Sequence, residues 1–212
     1  MGEITATLLA IPVAAYLLGS IPFGLLLARI FGSVDVRKSG SGNIGATNVT
    51  RVAGPVAGIS TLLLDAAKGY FAVVLAERLS NSSAMWMMIA ALAVLIGHCF
   101  PIWLNFKGGK GVAPAAGVFL ALCPLACLLA VALFLIVVIF WRYVSLGSIA
   151  AAAAIPLLMY LLWAPGHTPP LSVSFGSLAI ALLVVYKHDA NIQRLVEGTE
   201  SKFGFSKKKD DE

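Results

Sequence analysis

Charged residues are scarce in this chain of 212 residues: they make up 12% of it, while 59% is hydrophobic. A soluble domain carries about 25% charged residues. The composition therefore excludes an ordinary soluble protein and predicts an all-α, polytopic membrane protein whose helix bundle forms inside a lipid bilayer. We expect residues 1–212 to form a single membrane-embedded domain, with residues 203–212 as a flexible charged tail.

Acidic residues and cysteines are also few. The ten acids are too few and too scattered for a metal site, which excludes the metal-dependent phosphatidyl-alcohol transferases, and we predict neither a metal nor a cofactor. The three cysteines, Cys99, Cys123 and Cys127, lie in or beside apolar runs. They are interpreted as small buried hydrophobes.

Neither a secretion signal nor a nucleic-acid-binding surface is predicted. No basic stretch precedes the first apolar run and no small-residue cleavage site follows it, which indicates a retained membrane span. The basic residues behind the net charge of +5 lie mainly in short loops between apolar runs. This distribution is typical of positive-inside topology rather than of nucleic-acid binding.

The apolar runs predict five ordinary spans and one ambiguous stretch. The first span is broken by Pro12 and by Gly19-Ser-Ile-Pro-Phe-Gly24, where a kink or a close helix contact is expected. The five spans cover residues 4–31, 55–75, 85–104, 146–163 and 171–186.

The ambiguous stretch, residues 112–141, decides the topology. If the basic residues in its flanking loops are all cytoplasmic, Lys110 and Arg142 lie on one side and the stretch must cross twice. Its 30 residues fall short of the roughly 40 that two full crossings need, so we predict two short helices with a break near Cys123-Pro124. That gives seven transmembrane helices, with the N-terminus outside and the C-terminus cytoplasmic. The alternative is one long tilted helix and six spans.

A glycine-rich segment occupies residues 39–51 and reads Ser-Gly-Ser-Gly-Asn-Ile-Gly-Ala-Thr-Asn-Val-Thr-Arg. Glycines let backbone N–H groups turn toward one point, the geometry of an anion-binding nest. Arg51 adds a fork of donors suited to phosphate oxygens. Alone, such a segment is typical of a solvated loop between membrane helices, but two further polar stretches favour an anion site.

The second polar stretch is the lysine loop, residues 105–111, which reads Asn-Phe-Lys-Gly-Gly-Lys-Gly. It resembles a phosphate loop. However, Leu104 stands where a P-loop needs glycine, and Gly111 stands where it needs Ser or Thr, so nucleotide hydrolysis is not predicted. The third stretch is Arg142-Tyr-Val-Ser145.

Several polar residues stand apart from these stretches. Asp65 and Lys68 lie three residues apart on one helical face, where they can pair; a structural role and a role in substrate binding are both left open. His98 has no partners at metal-ligand spacing. In the C-terminal segment, His188 and Asn191 recur at helical spacing.

Five motifs run in order along nearly the whole chain. They are Gly19-Ser-Ile-Pro-Phe-Gly24; Gly40-Ser-Gly-Asn-Ile-Gly-Ala-Thr-Asn-Val-Thr-Arg51; Gly97-His-Cys-Phe-Pro101 with Phe106-Lys-Gly-Gly-Lys-Gly-Val112; Arg142-Tyr-Val-Ser145; and His188-x-x-Asn-Ile-x-Arg-Leu-x-x-Gly-Thr-Glu200. Together they resemble the acyl-phosphate-dependent glycerol-3-phosphate acyltransferases of bacterial inner membranes. No motif core departs from the family pattern.

The resemblance implies seven spans and an active site that faces the cytoplasm from a bacterial inner membrane. It implies transfer of a fatty acyl group from acyl phosphate to the 1-hydroxyl of glycerol 3-phosphate, giving lysophosphatidic acid and inorganic phosphate. The partners expected are these two substrates and the lipid bilayer, with no nucleic acid, and the protein is expected to be a monomer. The residue chemistry agrees, because both substrates carry phosphate.

Roles within the site follow from the resemblance and from the residue types. In the glycine-rich segment, the residues that would cradle acyl phosphate are Ser41, Gly42, Asn43 and Thr47. Arg51 and Lys107 would hold glycerol 3-phosphate or the charge that develops in the transition state. His98, Ser145, His188 and Asn191 would orient the glycerol end. The proton acceptor is left open between His98 and a phosphate oxygen. The predicted catalytic residues are Lys107, His98, Ser145 and Asn43. The predicted substrate-binding residues are Ser39, Ser41, Gly42, Gly45, Thr47, Asn48, Arg51, Gly108, Gly109, Lys110, His188 and Asn191.

Other classes fit less well. Conventional glycerolipid acyltransferases have His and Asp five positions apart, but Trp103, Ser172 and Gln193 stand five positions after the three histidines. A small transporter of a phosphorylated solute would carry polar groups at the bilayer midplane and show repeats, whereas the polar stretches here gather at one face. A non-catalytic scaffold leaves the concentration of Gly, Asn and Arg unexplained.

Overall fold

The computed structural model describes residues 2–163 and 168–204, and every regular element in them is a helix. Single turns of 3₁₀-helix cover Val36–Lys38 and Ile102–Leu104. The α-helices are α1 (Gly2–Ser20), α2 (Phe23–Gly32), α3 (Ala46–Ala53), α4 (Pro55–Leu79), α5 (Ala84–Cys99), α6 (Val112–Leu122), α7 (Pro124–Trp141), α8 (Val144–Leu162), α9 (Leu171–Tyr186) and α10 (Asp189–Val196). Of the predicted charged tail, positions 205–212 lie outside the described residues.

Five stretches of the described residues are long and apolar enough to cross a membrane: Leu8–Gly32, Pro55–Leu79, Ala84–Leu104, Pro124–Trp141 and Val144–Leu162. A sixth is counted if α9 and α10, which meet at 57°, form one bent span. Large apolar side chains such as Ile139 and Phe140 are exposed on the outside of the bundle, where a lipid environment satisfies them. The protein is therefore a multi-pass membrane protein.

The break predicted in the first span lies at Ile21 and Pro22, between the end of α1 and the start of α2. Proline has no N–H to continue the helical hydrogen bonds. The break is stabilised by Lys68, whose Nζ donates hydrogen bonds to the carbonyl oxygens of Gly19 at 2.8 Å and Ile21 at 3.1 Å. The break predicted at residues 19–24 is confirmed, whereas the one predicted at Pro12 is absent, since α1 continues through that residue.

The break predicted near Cys123-Pro124 is also present. α6 ends at Leu122 and α7 begins at Pro124, and a proline is well tolerated as the first residue of a helix. The 11 residues of α6 make a short helix, as predicted, but the 18 residues of α7 make it longer than predicted. Cys123 Sγ donates to the Leu162 carbonyl oxygen at 3.3 Å, so this break lies beside the end of α8.

α1 and α5 pack closely because glycines lie at their contact. A Cβ added at Gly97 would overlap the Tyr16 carbonyl oxygen, and one added at Gly19 would overlap that of Val94. Small residues of this kind let two membrane helices bring their backbones together. The contact places the next residue, His98, beside the break between α1 and α2.

Candidate active site

The glycine-rich segment is organised by Asn48, which is only 2% exposed. Its Nδ2 donates to the carbonyl oxygens of Val36, Ser39 and Asn43 at 3.2, 3.1 and 2.9 Å, and its Oδ1 accepts from the Ser41 N–H at 2.9 Å. These bonds occupy both N–H groups of the amide. Asn48, which the sequence placed among the substrate-binding residues, therefore serves the shape of the segment itself.

Two glycines allow the turns that Asn48 fastens, since Gly40 and Gly42 have φ values of +60° and +72°. Asn43 stabilises the turn that leads into α3, because its Oδ1 accepts a hydrogen bond from the Gly45 N–H at 2.8 Å. α3 begins at Ala46, and the free N–H groups of a helix start are a favourable environment for an anion.

The lysine loop is fixed to the C-terminal end of α5 by its backbone. Gly108 N–H donates to the Cys99 carbonyl oxygen at 3.2 Å, and Gly109 N–H donates to that of His98 at 3.0 Å. The lysines on either side of the two glycines are thereby spread apart: Lys107 is exposed and Lys110 is half-buried.

A polar network joins the lysine loop to the C-terminal segment. Lys110 Nζ donates to Asn191 Oδ1, and Asn191 Nδ2 donates to Glu200 Oε1 at 2.6 Å. Ser145 Oγ donates to the same oxygen at 2.6 Å, and Arg194 Nε donates to Glu200 Oε2 at 2.7 Å. Glu200 thus connects α8, α10 and, through Asn191, the lysine loop.

Glu200 carries a negative charge in this network. Burial would raise the pKa of Glu200, but hydrogen bonds from Ser145, Asn191 and Arg194 outweigh it and hold that pKa below its usual value. The carboxylate is therefore ionised at neutral pH and can keep three donors in place.

The site lowers the pKa of Lys110. Burial lowers the pKa of Lys110 to about 8; the charges of Arg194, Arg51 and Lys187 add to this effect, while Glu200 opposes it. The ammonium group is charged at neutral pH but is ready to lose its proton a little above it.

Two clefts open on either side of Gly42. The Lys107 cleft, of about 330 Å³, is lined by Arg37, Gly42, Ile44, Leu104, Asn105, Lys107 and Gly108. The Lys110 cleft, of about 210 Å³, is lined by Ser41, Gly42, Asn43, Lys110, Ala190, Asn191 and Arg194. The first combines two cations with apolar walls, and the second is lined by five polar or charged side chains together with Gly42 and Ala190. Two anionic ligands could lie there side by side.

Arg37 was not predicted as a site residue, but it faces the Lys107 cleft from the 3₁₀ turn. Asp35 holds its guanidinium, since Arg37 Nε lies 2.9 Å from one carboxylate oxygen and Nη2 lies 2.6 Å from the other. The Arg37 hydrogen bonds hold the pKa of the Asp35 carboxyl well below its usual range. A single arginine before a glycine-rich run was the signal that could have found it.

The structure brings seven predicted residues to the two clefts: Ser41, Gly42, Asn43, Lys107, Gly108, Lys110 and Asn191. Ser145 lies one hydrogen bond away, on Glu200. Glu200 and Arg194 were quoted in the last motif without a role. Their signal was faint, because a segment with charges of both signs is ordinary on a solvated surface.

Seven other predicted residues line neither cleft: Ser39, Gly45, Thr47, Asn48, Arg51, Gly109 and His188. Arg51 is exposed on the last turn of α3. His188 is buried, with Nδ1 2.7 Å from the Val184 carbonyl oxygen.

His98, one of the two candidate proton acceptors, also lies away from both clefts. It is only 4% exposed, and its Nδ1 is 3.6 Å from Asp65 Oδ1. Asp65 and Lys68 form an ion pair at 2.9 Å inside the bundle, and neither lines a cleft. This geometry favours the structural role over the role in substrate binding for that pair.

No three His, Cys, Asp or Glu side chains meet in the part of the chain that the structure describes, as a metal site would require. The absence of a metal or cofactor from the reaction stays a prediction.

Comparison with known proteins covers almost the whole chain. A family model described as glycerol-3-phosphate acyltransferase matches residues 9–198. The glycerol-3-phosphate acyltransferase of Syntrophotalea carbinolica is 52% identical over 190 residues, 90% of this chain and 94% of the relative. That of Geobacter sulfurreducens is 51% identical over 195 residues, 92% of this chain and 97% of the relative.

Solved structures give the same likeness. A crystal structure of PlsY, an integral membrane glycerol 3-phosphate acyltransferase, in its glycerol 3-phosphate form has a TM-score of 0.86 and 40% identity, covering 93% of this chain and 96% of that one. The lysophosphatidic acid form has a TM-score of 0.84 and 39% identity, covering 93% and 95%.

The role given to Asn48 predicts the effect of Asn48→Ala. The change leaves three carbonyl oxygens and one N–H of the segment without their partner, and each such group costs about 1–3 kcal/mol when buried. We expect trypsin to cut after Arg37 and Lys38 several-fold faster than in the parent protein.

Thr50→Ala is the matched control, because the Thr50 hydroxyl donates within α3, to the Ala46 carbonyl oxygen at 2.9 Å. Equal cleavage rates in the parent, Asn48→Ala and Thr50→Ala proteins would contradict the assigned role.

Proposed function

The chain belongs to the glycerol-3-phosphate acyltransferase family, and we propose that it transfers a fatty acyl group from acyl phosphate to the 1-hydroxyl of glycerol 3-phosphate. The products are lysophosphatidic acid and inorganic phosphate, and the reaction is the first acylation of phospholipid synthesis. The observation that carries this proposal is the pair of cation-bearing clefts that meet at Gly42, of which one has apolar walls.

Acyl phosphate is assigned to the Lys107 cleft. Its phosphate would lie against Gly42 and the start of α3, within reach of Lys107 and Arg37, and its acyl chain would leave past Ile44 and Leu104. This arrangement is supported by the apolar character of those two residues, because moving a fatty chain out of water lowers its free energy.

Glycerol 3-phosphate is assigned to the Lys110 cleft. Lys110 and Arg194 supply positive charge for its phosphate, and Asn191 supplies an amide for a hydroxyl group. Arg51 lies close enough for its charge to lower the pKa of Lys110, so it adds to the field that attracts the substrate. Ser145 acts through Glu200, which keeps Asn191 in place.

The reaction needs little from the protein beyond orientation and charge. The 1-hydroxyl oxygen bonds to the acyl carbon, and the bond from that carbon to the phosphate oxygen breaks. The hydroxyl proton moves to an oxygen of the departing phosphate. This acceptor is favoured over His98 because the imidazole lies outside both clefts. Lys107 and Asn43 stabilise the negative charge that develops on the carbonyl oxygen and the phosphate.

The transporter alternative is not favoured. A transporter would need polar groups free to bind a solute at the bilayer midplane, whereas Asp65 and Lys68 are tied to each other and, through Lys68, to the break between α1 and α2.

A first test is release of inorganic phosphate by the purified protein given palmitoyl phosphate, with and without glycerol 3-phosphate. We expect release to depend on glycerol 3-phosphate and to equal the lysophosphatidic acid formed, because one bond is exchanged for another. Release without the acceptor, or acceptor consumption without phosphate release, would contradict the proposal.

In the same assay, Lys107→Ala should lower kcat/KM on the order of a hundredfold, the usual loss for one group that stabilises developing charge. Lys38→Ala is its control, since Lys38 is an exposed lysine of the neighbouring 3₁₀ turn that lines neither cleft.

The charge of Lys110 predicts a pH dependence. Since its pKa in the free protein is about 8, the ammonium group is charged below that pH and neutral above it. kcat/KM for glycerol 3-phosphate reports ionisations of the free enzyme, so it should fall as pH rises through about 8. Lys110→Arg, which stays charged, should hold its kcat/KM to higher pH; a fall at the same pH in both proteins would contradict the assignment.

We propose seven crossings for this single domain, with the N-terminus outside and the polar end of the bundle in the cytoplasm of a bacterial cell. Support comes from the two ends of α8. Near its start Ser145 bonds Glu200, while its last residue, Leu162, accepts a hydrogen bond from Cys123. The chain from the lysine loop to Arg142 therefore reaches the opposite end of the bundle and returns.

Cysteine labelling tests this topology. Ser82 and Ser201 are exposed and lie outside the helices, at the two opposite ends of the bundle, and the three native cysteines are buried. A membrane-impermeant maleimide added to intact spheroplasts should label Ser82→Cys and not Ser201→Cys, until the membrane is opened. The reverse pattern would contradict the proposed orientation. In detergent, the protein is expected to behave as a monomer.

A further inference from the structure

Asp65 carries a buried charge that the proposed reaction does not use. It lies in the middle of α4, is 2% exposed and lines neither cleft. Its Oδ1 is 2.9 Å from Lys68 Nζ and 3.6 Å from His98 Nδ1, yet it receives no hydrogen bond of good geometry from the described residues. A carboxylate at this depth is costly, so what it holds in place needs an explanation.

The two neighbours of Asp65, Lys68 and His98, contact different parts of the molecule. Lys68 has partners of its own, the carbonyl oxygens of Gly19 and Ile21 at the break between α1 and α2. Through Lys68 the carboxylate joins α4 to α1 and α2. The same carboxylate oxygen also faces His98, the penultimate residue of α5, and α5 carries the lysine loop.

His98 meets the lysine loop with its ring as well as its backbone. A Cβ built on Gly109 would overlap the imidazole, with Nε2 the nearest atom, and its three nearest neighbours all belong to that ring. The φ of Gly109 lies outside the left-handed region, so its backbone would accept a side chain. Glycine is required at 109 because the ring of His98 fills the space.

We propose that Asp65 is a positioning residue of the active site. Its carboxylate faces Nδ1 of His98 and holds the ring in place against Gly109. The ring in turn fixes the position of the lysine loop. Lys107 and Lys110 lie two residues before and one residue after that point, so each is aimed into its own cleft. The inference rests on the proposed function only in treating those clefts as the substrate sites.

Asp65→Asn tests the proposal, because it keeps the shape of the side chain and removes the charge that faces His98. Thr61→Val is the matched control. Thr61 lies one turn earlier on α4, is fully buried, and its hydroxyl donates only to the Ala57 carbonyl oxygen within the same helix, at 2.8 Å.

The first readout is KM for glycerol 3-phosphate. We expect KM to rise at least tenfold in Asp65→Asn and to stay within twofold of the parent in Thr61→Val. A merely structural role would reduce the fraction of folded enzyme, which lowers the apparent kcat and leaves KM unchanged.

The second readout is trypsin cleavage without substrates, which does not depend on activity. We expect faster cleavage after Lys107 and Lys110 in Asp65→Asn, with no change after Arg78, an exposed residue at the far end of α4. A general loosening of the bundle would speed cleavage at all three places. The proposal requires both the rise in KM and the selective cleavage, and failure of either overturns it.

Gly109→Ala approaches the same contact from the loop and leaves α4 intact, so it replaces Asp65→Asn if that protein does not fold. Its added methyl group overlaps the ring, so it should open the loop to trypsin as Asp65→Asn does. In a His98→Ala background the same change should have at least fivefold less effect on cleavage, since the ring is gone. Equal effects in both backgrounds would overturn the proposal.

The two hypotheses fail in different ways. If the parent protein transfers no acyl group, the proposed function is wrong, while the cleavage rates of Asp65→Asn, Gly109→Ala and the double variant still decide whether Asp65 and His98 hold the loop.

Discussion

A helix that stops inside a bilayer leaves carbonyl oxygens without partners, and the bundle is built around one such stop. Water cannot satisfy the freed groups at that depth. Lys68 does so from α4, donating to Gly19 and Ile21, and its charge is balanced by Asp65. α1, α2 and α4 are thereby fixed at one point, and α5 joins them there through close glycine contacts and His98.

The polar end of the molecule is assembled from pieces that are far apart in the chain. The glycine-rich segment is shaped by Asn48, the lysine loop hangs from the end of α5, and the C-terminal segment is fastened by Glu200. The group that fixes each piece, whether Asn48, the end of α5 or Glu200, lines neither cleft itself. The cations that face the clefts can therefore be kept close together without a ligand, although like charges repel.

Local rules in the sequence predicted much of the fold. Proline positions located the breaks at Pro22 and near Cys123, and residues 171–186 were predicted with the bounds that α9 has. The polar character of the glycine-rich segment and the lysine loop also predicted that these two stretches lie at the same end of the bundle. The sequence could not predict that Glu200 would bind Ser145, 55 positions away, or that Lys110 would bind Asn191, 81 positions away, because such pairs depend on how helices pack. Nor could it predict that the ring of His98 lies against Gly109, since a histidine beside a polar loop has the same sequence pattern whether its ring faces a cleft or packs against a glycine.

The order of the elements along the chain bears on how the protein is made. α1 and α2 precede α4, so a ribosome delivering the chain to a membrane supplies the acceptor carbonyls of Gly19 and Ile21 before it supplies the ammonium group of Lys68. His98 arrives a full span later. A circular permutation that moved the first two helices to the C-terminus would keep the contacts of the finished bundle but reverse that order. α4 would then enter lipid before the carbonyl acceptors of its lysine existed.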